Sequence, residues 1–171
     1  LQRSIELCRS LLLVWTLKRE PLKWATIHNN LGSALRSVGE RQSDTKCLEE
    51  AVESHRSALK VFTAQGMPMQ WASTQNNLGS ALRSLGERQS DTKRLEEAVE
   101  AYRLALQIFT PERMPLQWAA TQNGLGNALA RLGERAHGTA LLEQAAKACE
   151  EALLRCPRER VPQQWATTQN D

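Results

Sequence analysis

The longest uninterrupted apolar run in these 171 residues is Leu11 to Trp15, far short of the roughly 20 residues that span a bilayer as a helix. No signal peptide precedes it, so neither membrane insertion nor secretion is expected. Cysteine is scarce and unpatterned: Cys8, Cys47, Cys149 and Cys156 form no C-x-x-C, and only Cys8 and Cys149 fall at equivalent places in the pattern described below. Free thiols in a reducing, cytoplasmic compartment follow. Neither sign of charge dominates, since 22 basic and 19 acidic side chains leave a net +3, which offers a polyanion little attraction. No Gly-rich phosphate loop, nucleophile elbow or paired-carboxylate site is visible. His28, His55 and His137 occupy unlike positions and read as packing residues. No enzyme activity, cofactor or metal is therefore expected.

What the chain does have is a beat. Trp24, Trp71, Trp118 and Trp165 stand 47 residues apart, each inside a near-copy of one phrase ending W-A-x-T-Q-N. A fixed period in this range marks stacked supersecondary units that bury a core only against their neighbours. Of the 47 positions in Pro21 to Met67, 32 are identical in Pro68 to Met114, including all of Asn29 to Ser37 against Asn76 to Ser84. The third copy keeps T-Q-N-x-L-G-N-A-L and L-G-E-R but diverges in its second half. The expected organisation is one array over residues 1–171. Residues 1–20 supply the second helix of a preceding repeat, 21–67, 68–114 and 115–161 are full repeats, and 162–171 begin a fourth. Because it starts and stops inside the period, the chain reads as a piece of a longer protein.

Within one copy, Trp71, Leu78, Leu82 and Leu85 recur at helical spacing, with Gln75 on the same stripe (helix A); Leu95, Ala98, Val99, Tyr102, Ala105, Leu106 and Phe109 form a second stripe (helix B). Pro68 suits a first helical turn, Gly86 is placed to end helix A in a left-handed cap, and Asp91 or Thr92 can cap helix B. No alternation of period two occurs, so a sheet is not expected. Small residues, among them Gly79, Ala81, Ala98 and Ala105, mark where helices approach closely.

Leu78-Gly79, Leu82, Gly86, Ala98, Tyr102 and Ala105-Leu106 spell L-G-x-x-L, a glycine, then A-x-x-x-Y-x-x-A-L. This pattern resembles the tetratricopeptide repeat, whose unit is about 34 residues; the present unit is longer. The longer-repeat branch, including kinesin light chain and many bacterial and fungal signalling proteins, is the nearer likeness. The resemblance implies an all-α fold, a right-handed α-solenoid (superhelix) of antiparallel helix pairs. Trp24, Trp71, Trp118 and Trp165, with Gly32, Gly79 and Gly126, are then structural anchors.

A helical wheel separates the buried side of helix A from a polar stripe of Thr26, Asn29, Ser33, Arg36 and Ser37. The resemblance implies that this stripe faces a concave groove. Its repeats include Asn76, Ser80 and Arg83, then Asn123 and Asn127 with Ala130 in the arginine's place. An asparagine amide carries donor and acceptor and can bond any peptide unit; Arg36 and Arg83 would favour some acidic character. The candidate peptide-binding residues are therefore Asn29, Ser33, Arg36, Asn76, Ser80, Arg83, Asn123 and Asn127. Alternatively, Asn30 and Asn77 bond neighbouring helices and the identity reflects duplication. No groove-facing lysine is evident, which speaks against the family's carboxylate clamp.

The expected function is a protein–protein interaction scaffold that binds a peptide or protein surface, the sensing or assembly region of a larger signalling protein. One alternative is head-to-tail self-association through Leu7, Leu11 and Leu12 at one end and Trp165 at the other. RNA binding is a third class, opposed by the mixed surface charge. The Gly-Glu-Arg triplets beginning at Gly39, Gly86 and Gly133 are expected to cap helix A and pair across loops, or to form a charged ridge for a second partner.

Overall fold

A computed structural model describes residues 1–155. Among them lie seven α-helices and no strand: α1 Gln2–Val14, α2 Pro21–Gln42, α3 Thr45–Leu59, α4 Pro68–Gln89, α5 Thr92–Leu106, α6 Pro115–Ala136 and α7 Thr139–Arg155. Each helix packs on the next, and α2 touches α4 as α4 touches α6; no helix among the described residues reaches farther along the chain. This short-range packing makes the chain an all-α solenoid of helical hairpins. Helices α2, α4 and α6 are the A helices, and α3, α5 and α7 the B helices. Trp165, Cys156 and the start of a fourth repeat lie outside the described residues.

Each A helix opens on a proline, Pro21, Pro68 or Pro115, at its first turn, where a missing N–H breaks no helical bond. The ends differ from the sequence expectation. Helix α4 runs through Gly86 to Gln89, and the left-handed residue is Ser90 at φ 54°, as are Ser43 at 56° and His137 at 50°. No glycine in the described residues has positive φ. Gly86 instead makes room: a Cβ there would lie 3.1 Å from the Asp91 carbonyl oxygen and from Leu95. The turn into helix B passes too close for a side chain. Asp44 and Asp91 then cap the B helices, accepting from the Lys46 and Lys93 backbone N–H groups, both at 2.9 Å. Helix α5 ends at Leu106, so Phe109 completes the apolar stripe from the following turn, where its N–H bonds the Ala105 carbonyl at 3.0 Å.

The main core runs through the A–B contacts and contains Leu31, Leu35, Leu48, Val52, Leu78, Leu82, Leu85 and Tyr102, all buried. Close approach is secured at three points one period apart. Cβ atoms on Gly32, Gly79 and Gly126 would lie 2.7, 3.0 and 2.6 Å from the His55 ring, the Tyr102 ring and the Cys149 sulfur. A second, smaller core forms near the starts of the A helices. Trp24 and Trp71 pack with Phe62, and Trp71 continues into a cluster with Phe109 and Trp118. Trp118 is buried, while Trp24 and Trp71 are half-buried.

Neighbouring repeats are also stitched by polar contacts. Arg88 donates to the Glu40 carbonyl at 2.7 Å, and Arg135 donates to the carbonyls of Gly86 at 2.8 Å and Glu87 at 2.9 Å. Each arginine thus bonds carbonyls at the C-terminal end of the preceding A helix, where a positive charge is also favoured by the helix dipole. Among the B helices Arg9 pairs with Glu50 and Arg56 with Glu97, both at 2.7 Å, and Arg103 donates to Gln144 at 3.2 Å. The Arg9–Glu50 and Arg103–Gln144 rungs are exposed and contribute little stability each, and Arg56–Glu97 is part-buried.

Candidate functional site

The polar stripe of the A helices divides into two zones. In the first, Asn29 and Asn76 line two successive cups that share six of their seven repeat positions. The first cup is formed by Thr26, Asn29, Phe62, Met69, Gln70, Ser73 and Thr74 and has a volume of about 220 Å³. The second is formed by Ser73, Asn76, Asn77, Phe109, Leu116, Gln117 and Ala120 and has a volume of about 330 Å³. Thr26 and Ser73, Asn29 and Asn76, Phe62 and Phe109, Met69 and Leu116, Gln70 and Gln117, and Ser73 and Ala120 each differ by one 47-residue step. Each cup lies between two neighbouring A helices, with Phe62 or Phe109, buried after the intervening B helix, among its walls. No charged side chain lines either one.

The asparagine oxygens are used inside the array. Asn77 donates to Asn29 Oδ1 at 3.3 Å, and His55 Nδ1 lies 3.1 Å from the same oxygen. That oxygen can only accept, so His55 carries its proton on Nδ1. Burial pushes the His55 pKa down to about 4, with the Arg36 charge adding to the effect, so the ring is neutral at pH 7. Thr121 shares its hydroxyl proton between the Gln117 carbonyl at 2.6 Å and Asn76 Oδ1 at 3.1 Å. Among the described residues, neither the Asn29 nor the Asn76 amide nitrogen donates to another protein group. Asn123 is 8% exposed and accepts from Asn127 at 3.3 Å.

The second zone is charged and partly paired within itself. Arg36 pairs with Glu40 at 2.6 Å and Arg83 with Glu87 at 2.7 Å, each one helical turn on. Ser84 donates to Glu40 at 2.7 Å, and Arg131 lies 3.8 Å from Glu87 across the next repeat. Burial works against the Arg83 charge, but Tyr102 and Glu87 outweigh it and raise the pKa further. Arg36, Glu40, Arg83, Ser84, Glu87 and Arg88 line a crevice of about 490 Å³. Both arginines expected to favour an acidic ligand thus already have a carboxylate partner one turn along their own helix. Ser33 and Ser80 turn back onto their own helices, donating to the Asn29 and Asn76 carbonyls at 3.1 Å. The Tyr102 hydroxyl therefore donates to Ser80 at 3.0 Å.

The cup walls Phe62, Phe109, Met69 and Leu116 lie off the polar stripe that the sequence marks. A signal existed, since the two phenylalanines of the chain stand one period apart. Elsewhere, His28 meets the Trp24 ring at 4.3 Å, and its pKa is lowered by burial and then by Lys60. On α1, Leu7 is exposed and Leu11 and Leu12 are half-buried. Among the described residues no group of three or more His, Cys, Asp or Glu is placed to hold a metal ion, and no helix is long and apolar enough to cross a membrane.

A solenoid of helical hairpins with a polar stripe along its A helices defines a class of repeat protein rather than one activity. Residues 24–62, 71–112 and 118–155 match the tetratricopeptide repeat family, and the chain belongs to it. Repeats of this family generally mediate protein–protein interaction, and the family is typically a non-enzymatic scaffold. Comparison with curated proteins and with solved structures found no match.

Proposed function

We propose that this chain is an interaction scaffold that holds an extended peptide of a protein partner along the A helices, within a larger signalling protein. The observation that carries the proposal is the recurrence of one cup, with the same asparagine, phenylalanine and glutamine, at a 47-residue step. Repetition of a partly open, uncharged cup suits a ligand that is itself extended and repeats along its length. Asn29 and Asn76 keep amide hydrogens for such a ligand while their oxygens hold the array together.

Asn29→Asp with Asn76→Asp tests this reading. The substitution keeps the acceptors used by His55, Asn77 and Thr121 and removes the amide donors. Capture of a peptide partner is expected to fall at least tenfold while the helical circular-dichroism signal is retained. Undiminished capture by the folded double variant would overturn the proposal.

A further inference from the structure

The cups also specify the conformation of what fills them. Helix α2 touches α4, and packed helices lie about 8–10 Å apart, so neighbouring cups repeat at about that distance. An extended β-strand cannot match the step while keeping one face. Two residues advance only about 6.6 Å and four about 13 Å, and a three-residue step points the side chain to the opposite side. A polyproline II helix advances about 3.1 Å per residue with three residues per turn. Every third side chain then returns to the same face after about 9 Å.

Hydrogen-bond chemistry agrees with the spacing. A polyproline II chain makes no internal hydrogen bonds, and proline residues in it carry a carbonyl but no N–H. Such a backbone is rich in acceptors. The cups offer donors, the amide nitrogens of Asn29 and Asn76 together with Gln70 and Gln117 at the same walls. With no charged group in either lining, the side chains that enter are uncharged. Met69 at 38% and Leu116 at 41% exposure give each cup an apolar lip.

From this geometry we infer that the groove takes a proline-containing polyproline II segment with an uncharged apolar residue at every third position, one entering each cup. The inference rests on the groove reading above. The asparagine amides donate to ligand carbonyls once per turn, and the apolar residues contact Phe62 and Phe109 in turn.

A display library of random twelve-residue peptides, selected on the wild-type chain and on Asn29→Asp with Asn76→Asp, tests both statements separately. The expected pool carries apolar residues three apart with proline between them, and binds the double variant at least tenfold more weakly. Met69→Ala with Leu116→Ala, both at exposed positions, is expected to weaken the same peptides without shifting the melting curve. A pool that depends on the asparagine amides but alternates apolar residues every second position, or is helical, overturns the polyproline inference and leaves the groove reading intact. A pool indifferent to both double variants, or no captured pool at all, overturns both.

Discussion

Gly124 of α6 and Tyr102 of α5 occupy a single space: a Cβ on Gly124 would lie 2.7 Å from the tyrosine ring. One period earlier the same two positions hold Asn77 and His55, and there Asn77 and His55 both reach Asn29 Oδ1. The smaller ring leaves room for the amide, and the larger ring requires its removal. Gly124→Asn is therefore expected to cost about 1–3 kcal/mol through overpacking. Combining it with Tyr102→His should recover at least about 1 kcal/mol relative to the sum of the single changes. A double-mutant cycle in urea measures the coupling, and strict additivity would contradict the shared space.

The buried His55 makes stability depend on pH in a predictable direction. Its pKa falls from an ordinary 6.5 to about 4 in the folded chain, so between those values the unfolded chain binds the extra proton. Stability contributed by neutral His55 is complete above pH 6.5 and is lost as pH falls toward 4, amounting to about 3 kcal/mol across the window. His55→Tyr with Asn77→Gly, which copies the next repeat, is expected to remove this component. Urea midpoints at pH 7 and pH 5 for the two proteins provide the check.

Ser90 and Gly86 carry opposite expectations, although glycine is the residue usually associated with the end of a helix. Ser90 adopts the left-handed conformation at φ 54°, so Ser90→Gly is expected to stabilise by roughly 1 kcal/mol. Gly86→Ala is expected to destabilise, because its Cβ would meet the Asp91 carbonyl oxygen at 3.1 Å. Thermal midpoints moving in the same direction would refute the assignment.

Arg135 tests how much the inter-repeat stitching contributes. It donates to two carbonyls of the preceding A helix at 2.8 and 2.9 Å, and Arg135→Ala is expected to cost about 1–3 kcal/mol. Arg135→Lys should restore only part, since an ammonium lacks the planar fork. Arg103→Ala, which removes an exposed bond to Gln144, is expected to stay within about 0.5 kcal/mol. Chemical denaturation of the three variants ranks them.

The hairpin fold was largely legible in the sequence because its determinants are local and repeated. The tryptophan period, the prolines at the first helical turn and Asp91 at the start of helix B each act within a few residues of their place in the chain. Gly86 was misread for a related reason. Its need for space comes from Asp91 and Leu95 on the far side of the turn, and nothing in the adjacent sequence distinguishes a clearance glycine from a capping one.

The period, the helical stripes and the positions of Asn29, Asn76, Arg36 and Arg83 on one polar face can be read from the residue pattern, because 3.6-residue periodicity assigns faces without knowledge of neighbours. Tertiary structure alone decided what that face can offer. Glu40 and Glu87 neutralise the arginines, His55, Asn77 and Thr121 engage the asparagine oxygens, and Phe62 and Phe109 reach the cups from the turns after helix B. Except for the arginine–glutamate pairs, these contacts span 26 to 48 residues or join separate helices. Their existence depends on how adjacent hairpins stack, a relation that a one-dimensional pattern of residue types does not contain.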